Sequence, residues 1–157
     1  MSLVELLTAV AIVGILAGTS IHASRRPLAY QQLLAAARQL ELGIEQARDQ
    51  AMDQQAPCAL ALGEAGWIEP DDGRLPACTH ATGLLLAGDR GDGLQLSHNI
   101  SELQFTTNGL VLGGGTVRLA VHGLIQERCV VISLPLGITR QGLWLQGQCL
   151  PASKAQP

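Results

Sequence analysis

Aromatic side chains make up only 3% of this 157-residue sequence, with two Trp, one Tyr and one Phe. A core of any size must therefore rest on Leu, Val, Ile and Ala. Charge is sparse too, at 15%, and the net charge of −3 argues against a simple electrostatic affinity for nucleic acid. No two cysteines form a C-x-x-C pair, which tells against a zinc knuckle. The motifs G-x-S-x-G, H-E-x-x-H and the P-loop are all missing, so an enzyme is not expected. His22, His80, His98 and His122 are scattered without ligand spacing. Asp71/Asp72 and Asp89/Asp92 sit in Gly-containing turns, where Asp is favoured for its local hydrogen bonds, and neither segment follows an EF-hand pattern. No metal and no cofactor are expected. Arg90-Gly91-Asp92 spells an adhesion tripeptide, for which chance in a charged turn is the better account.

What is present begins at the first residue. Met1 to Ile21 is an apolar run interrupted by a single charge, Glu5. About 20 apolar residues are enough to span a bilayer. A carboxylate at membrane depth costs on the order of a few kcal/mol, so it usually signals a function and a partner. No basic segment precedes the run and no clean A-x-A site closes it, unlike a cleaved secretory signal. Arg25, Arg26 and Pro27 follow.

From Leu28 to about Gln54 the pattern turns amphipathic. Leu33, Ala37, Leu40, Ile44, Ala47 and Ala51 recur at spacings of four and three, which predicts a helix with one apolar stripe. Pro27 at the junction is a place for the helix to kink or restart. The first 54 residues read as one long helix, apolar for half its length.

Eighteen glycines and seven prolines lie mostly after residue 56, and there the period shifts toward two. Strands are expected at Cys58–Leu62, Gly83–Ala87, Leu94–Ser97, Glu102–Thr106, Thr116–His122, Arg128–Leu134 and Leu143–Cys149. The clearest is TVRLAVH, in which Val117, Leu119 and Val121 share one face. EPDDGR, GDRGDG, TNG and GGG supply turns. The tail PASKAQP is polar and expected to fray.

Cys58, Cys78, Cys129 and Cys149 form an even set, as expected of disulfides in an exported domain, although four cysteines allow three pairings. Cys58–Cys78 with Cys129–Cys149 is favoured, because each closes a short loop worth about 3 kcal/mol in a chain-entropy model. Four buried thiols in a cytosolic protein are the alternative, disfavoured by the membrane segment.

The run SLVELLTAVAIVGILA resembles the start of mature type IV pilins and type II secretion pseudopilins, whose motif is written FTLVELLVVLAILGILA. The resemblance covers about 20 residues and places Glu5 at the family's fifth position. Family prepilins carry a short basic leader, which a dedicated membrane peptidase removes before methylating the new N-terminus. With Glu5 in register, Met1 is expected to be the processed and methylated residue; a misplaced start codon or a trimmed chain are the alternatives. Met1 stands where Phe is usual, and His22 where many members have Pro. Further on, LQFTTNGLVLGGGTVRLAVH and ERCVVISLPLGITRQG resemble the C-terminal half of the FimT/GspH group of minor pilins, with Phe105, Gly109 and Cys129–Leu134 on its pattern.

The resemblance implies an α+β fold: a long N-terminal helix, hydrophobic in its first half, packed by its amphipathic second half on a mostly antiparallel, β-rich head. The expected divisions are a membrane and filament-core segment at 1–27, an amphipathic helix at 28–54, the head at 55–150 and a flexible tail at 151–157. It further implies a structural subunit, a minor pilin or pseudopilin, held in the bacterial inner membrane and then built into a periplasmic or extracellular helical filament with other pilins. The Met1 amine of one subunit would pair there with the Glu5 carboxylate of its neighbour, setting the axial register. The expected partners are those subunits, the inner membrane and the prepilin peptidase.

The alternative is a filament-tip protein that touches DNA or a secreted substrate. Some FimT-like pilins share a Gly-Arg-x-Arg stretch; here the place reads Gly137-Ile138-Thr139-Arg140, keeping only the second arginine. Arg118, Arg128 and Arg140 are the candidate DNA contacts, but beyond Gln54 eight acids face six bases. Few phosphate contacts are on offer. A signal-anchored periplasmic enzyme is the third reading, with no residue in its favour.

Overall fold

The computed structural model describes residues 4, 6–8, 10–13, 25–64, 66–71, 73–81 and 93–151. The fold is α+β, a long helix followed by antiparallel sheets. Helix α1 spans Arg25–Asp53. Pro27 lies in its first turn, where backbone donors have no intrahelical acceptor, so the ring removes no hydrogen bond. Leu33, Ala37, Leu40, Ile44, Ala47 and Ala51 are all buried, joined by Ala36, so the helix lays one stripe of small and medium side chains on the sheets.

The expected helix from residue 1 to residue 54 is described in part, at helical residues among 4–13 and as Arg25–Asp53; its continuity lies outside the described residues. Val4, Leu6, Leu7, Val10, Ile12 and Val13 are helical and exposed. Met1, Glu5 and residues 14–24 lie outside the described residues. Among the described residues no helix is long and apolar enough to cross a membrane.

Nine strands follow among the described residues: β1 (Cys58–Gly63), β2 (Gly66–Ile68), β3 (Leu94–His98), β4 (Leu103–Phe105), β5 (Val111–Leu112), β6 (Gly115–Val121), β7 (Arg128–Ser133), β8 (Ile138–Leu145) and β9 (Gln148–Pro151). They form a four-stranded sheet in the order β2-β1-β4-β5 and a five-stranded sheet in the order β3-β6-β7-β8-β9. Every strand pair is antiparallel. α1 packs on both sheets, and the core between them holds Leu33, Leu40, Leu60, Leu103, Phe105 and Leu119. Phe105, the sole Phe, is fully buried, as is fitting where aliphatic residues supply nearly everything else.

Three strand expectations are corrected. Leu143–Cys149 is not one strand but the end of β8, a turn at Gln146-Gly147 and the start of β9. Both turn residues have positive φ, 50° and 79°, the backbone of a two-residue hairpin loop. The Gly137–Arg140 stretch, outside the expected strands, is mostly strand, because β8 begins at Ile138 paired to Ser133. β2 and β5, of three and two residues, had no counterpart among the expected strands. Gly83–Ala87 lies outside the described residues.

Candidate functional site

Glu5 and Met1, the residues expected to carry assembly, lie outside the described residues. The structure does place the head's candidates. On β6, Arg118 points away from α1, sharing that face of the five-stranded sheet with Cys129, Gly142 and Trp144. Its Nε and Nη2 donate to both carboxylate oxygens of Glu127 at 2.6 and 2.5 Å. Its guanidinium also stacks 5.8 Å from the Trp144 ring. The hydrogen bond from Arg118 holds the Glu127 carboxyl below its ordinary pKa, and the same bond pushes Arg118 further up.

Arg128 faces the opposite way. It shares the inner face with Val130 and Ile132, where Nη2 donates to the Tyr30 hydroxyl at 2.6 Å and the guanidinium lies 5.5 Å from that ring. It ties the sheet to α1, as does Gln141, whose Nε2 donates to Glu41 Oε2 at 2.7 Å. Arg140 is exposed on β8. The structure therefore does not bring the three arginines together: two share the outer face and the third is on the inner face. Sequence reading had no view of Tyr30, Glu127 or Trp144 as their partners; the Tyr30–Arg128 separation of 98 positions leaves no local signal.

Two shallow grooves flank Arg118 on the outer face. One of about 460 Å³ runs beside β3, lined by Gln95, Ser97, Ala120 and Glu64. The other, about 540 Å³, lies toward the β8–β9 hairpin and is lined by Thr116, Val131, Trp144 and Gln148. Ser97 and His98 also line the second groove. His98 Nδ1 is within 2.8 Å of the Ile100 carbonyl, and the backbone N–H of His80 donates to Gln50 Oε1 at 2.9 Å. Among the described residues no group of three or more His, Cys, Asp or Glu side chains is placed to hold a metal ion. Asp72, Asp89, Asp92 and His22 lie outside them.

The cysteines form two disulfides. Cys58–Cys78 is buried and pins the loop after β2 to β1, where Ala59 and Ala77 form a bridge. Cys129–Cys149 reaches from β7 over Gly142 of β8 to β9. A Cβ at Gly142 would lie 2.4 Å from the Leu150 carbonyl oxygen and 3.0 Å from Cys149 Sγ, so glycine lets β9 and the disulfide approach β8 closely.

The geometry is that of a helical stem and a disulfide-stapled β head, with polar side chains spent on internal ties. A comparison with protein-family models matches residues 36–136 to the type II transport protein GspH. The chain belongs to the GspH family. That match runs from the buried stripe of α1 to the β7–β8 turn. It is independent of the apolar run, which lies wholly before it. GspH membership and the opening motif thus agree from separate parts of the chain on the pilin and pseudopilin superfamily. No curated protein and no solved structure matches.

Proposed function

We propose that this chain is a minor structural subunit of a type II secretion pseudopilus or a related pilus. It is held in the inner membrane by residues 1–27 and then drawn into a periplasmic or extracellular helical filament. Residues 28–54 serve as the stem, 55–150 as the head and 151–157 as a tail. The prepilin peptidase processes and methylates the N-terminus at Met1. The observation that carries this reading is the GspH match over stem and head, next to an apolar run whose sole charge is Glu5.

The described part of the run supports it. Six aliphatic side chains on one short helical stretch stand exposed in the isolated chain. Only a bilayer or a bundle of similar helices covers such a surface on all sides. In either medium a lone carboxylate is costly, and the free amine of a neighbour's Met1 neutralises it. Removing one member of such a buried pair costs about 3–5 kcal/mol. Glu5→Ala is expected to remain in the membrane fraction and to fall at least tenfold in sheared filaments. Recovery of the variant in filaments at the wild-type level overturns the pairing.

A tip protein that grips DNA needs arginines that converge on phosphates. Arg118 and Arg128 are engaged by Glu127 and Tyr30, which leaves Arg140 on its own. The structural role has the better support.

A further inference from the structure

The β7–β8 connection and the first residue of β8 read Leu134-Pro135-Leu136-Gly137-Ile138, with no polar side chain. Turns usually draw on Asn, Asp, Ser and Gly, and a run of exposed apolar residues is a fault unless it has a use. Leu134, Leu136 and Ile138 are 57%, 54% and 53% exposed. They adjoin β5, whose Val111 N–H donates to the Pro135 carbonyl at 2.8 Å, and which exposes Leu112 with Leu110 just before it. The five side chains leave on the order of 450 Å² of apolar surface in water, a size that on a monomer often marks a functional patch.

The loop is braced. Nη2 of Arg48, on α1, donates to the Leu136 carbonyl. Gly137 has φ +60°, and its Cα packs so close to Val111 that a Cβ would lie 2.4 Å from that side chain. The leucines are thus held outward from a fixed backbone. Presenting a preorganised apolar surface lowers the entropy lost when it is covered.

Position names the occupant. Arg48 lies 23 residues beyond the start of α1, about 35 Å at 1.5 Å per residue. The patch is therefore at the end of the head that lies by the C-terminal turns of α1. A stable pair in solution needs about 800 Å² per partner, nearly twice what is here. Such a patch closes only between bodies already held side by side, where tethering raises the effective concentration. No charge occurs from Cys129 to Thr139, so an uncharged apolar surface fits and a nucleic acid does not. We propose that Leu134, Leu136 and Ile138, with Leu110 and Leu112, form the axial docking face for the head of the next, different subunit of the filament. This rests on the filament reading above.

The test uses the full chain in cells that assemble the filament. Leu136→Asp and Leu134→Asp are expected to cut recovery in sheared filaments at least tenfold. Ile125→Asp, fully exposed at the opposite end of β7, is expected to leave it unchanged. Protease resistance of each variant's head shows that it is folded. The photo-cross-linker p-benzoylphenylalanine in place of Leu136 is expected to give an adduct with another filament subunit that disappears in the Glu5→Ala background. Normal incorporation of the folded aspartate variants overturns the docking face while leaving the filament reading intact. So does an adduct with a second copy of this chain or with a secreted substrate. Absence of the wild-type chain from filaments overturns both.

Discussion

Trp67 of β2 lies against α1 where Gly43 leaves the helix without a side chain. The indole is buried, and its Nε1 donates to the Leu40 carbonyl at 3.1 Å. A Cβ at position 43 would come within 2.2 Å of two ring atoms. This contact anchors the β1–β2 hairpin to the stem.

Gly43→Ala sets two effects against each other. Alanine gains about 1 kcal/mol of helix propensity. The methyl group expels the indole, and overpacking of this kind costs about 1–3 kcal/mol before the loss of a hydrogen bond of about 1 kcal/mol. A net loss of about 2 kcal/mol is expected in urea denaturation. In the Trp67→Ala background the same change should turn neutral or favourable, because nothing is left to expel. Equal costs in both backgrounds would show that the notch does not matter.

Loss of the two disulfides should have unequal effects. Each closes a separation of 20 residues, so chain entropy alone predicts about 3 kcal/mol for either. Cys58 and Cys78 are both inside the core, whereas Cys149 is only half-buried at the end of an edge hairpin. Cys58→Ala/Cys78→Ala adds a cavity term and is expected to cost about 1 kcal/mol more than Cys129→Ala/Cys149→Ala. Chemical denaturation of the two double variants checks the order.

The Arg118–Glu127 pair gives stability a pH dependence of known sign. Glu127 has a depressed pKa in the folded head, so its contribution is present above the ordinary glutamate value of 4.5 and is lost as the pH falls through the lower folded value. Arg118 stays charged throughout that range. Glu127→Gln should therefore have a lower Tm than the wild type at pH 7, and the two should converge below about pH 4. The pair is largely solvated, so the gap is small and narrows with added salt. A gap that widens on acidification would refute the assignment.

Long periodic segments were the legible part of the fold. The stripe from Leu33 to Ala51 and the alternation of Val117, Leu119 and Val121 announce buried faces because several turns or pleats repeat the signal. β2 and β5 are too short to show a period; pairing to β1 and β4 creates them. The candidate site was less legible. Arg118, Arg128 and Arg140 look alike in sequence, and only the register of β6, β7 and β8 separates an outer-face ion pair, an inner tie and an exposed side chain. Leu134 reads as the end of a hydrophobic strand, and the exposure of Leu134 and Leu136 goes with a loop held by Arg48, 88 positions distant from Leu136.

The β8–β9 hairpin shows how one residue hid a strand boundary. Leu-Trp-Leu-Gln-Gly-Gln-Cys reads as a continuous strand, since Gln-Gly is a poor announcement of a turn that needs positive φ at both central positions. Gln146 nevertheless sits at φ 50°, in a region that costs a non-Gly residue about 1 kcal/mol and that Asn enters more readily. Gln146→Asn is expected to stabilise the head by about 0.5 kcal/mol without changing the Cys129–Cys149 link. Gly147→Val should do the reverse and cost more than 1 kcal/mol, because a β-branched side chain at φ 79° clashes with its own backbone. Amide exchange at Leu143 and Leu145, whose strand pairs with β9, reads both changes locally. Slower exchange in Gln146→Asn and faster exchange in Gly147→Val is the expected pattern; no difference between the two would mean that the turn does not govern the edge of the sheet.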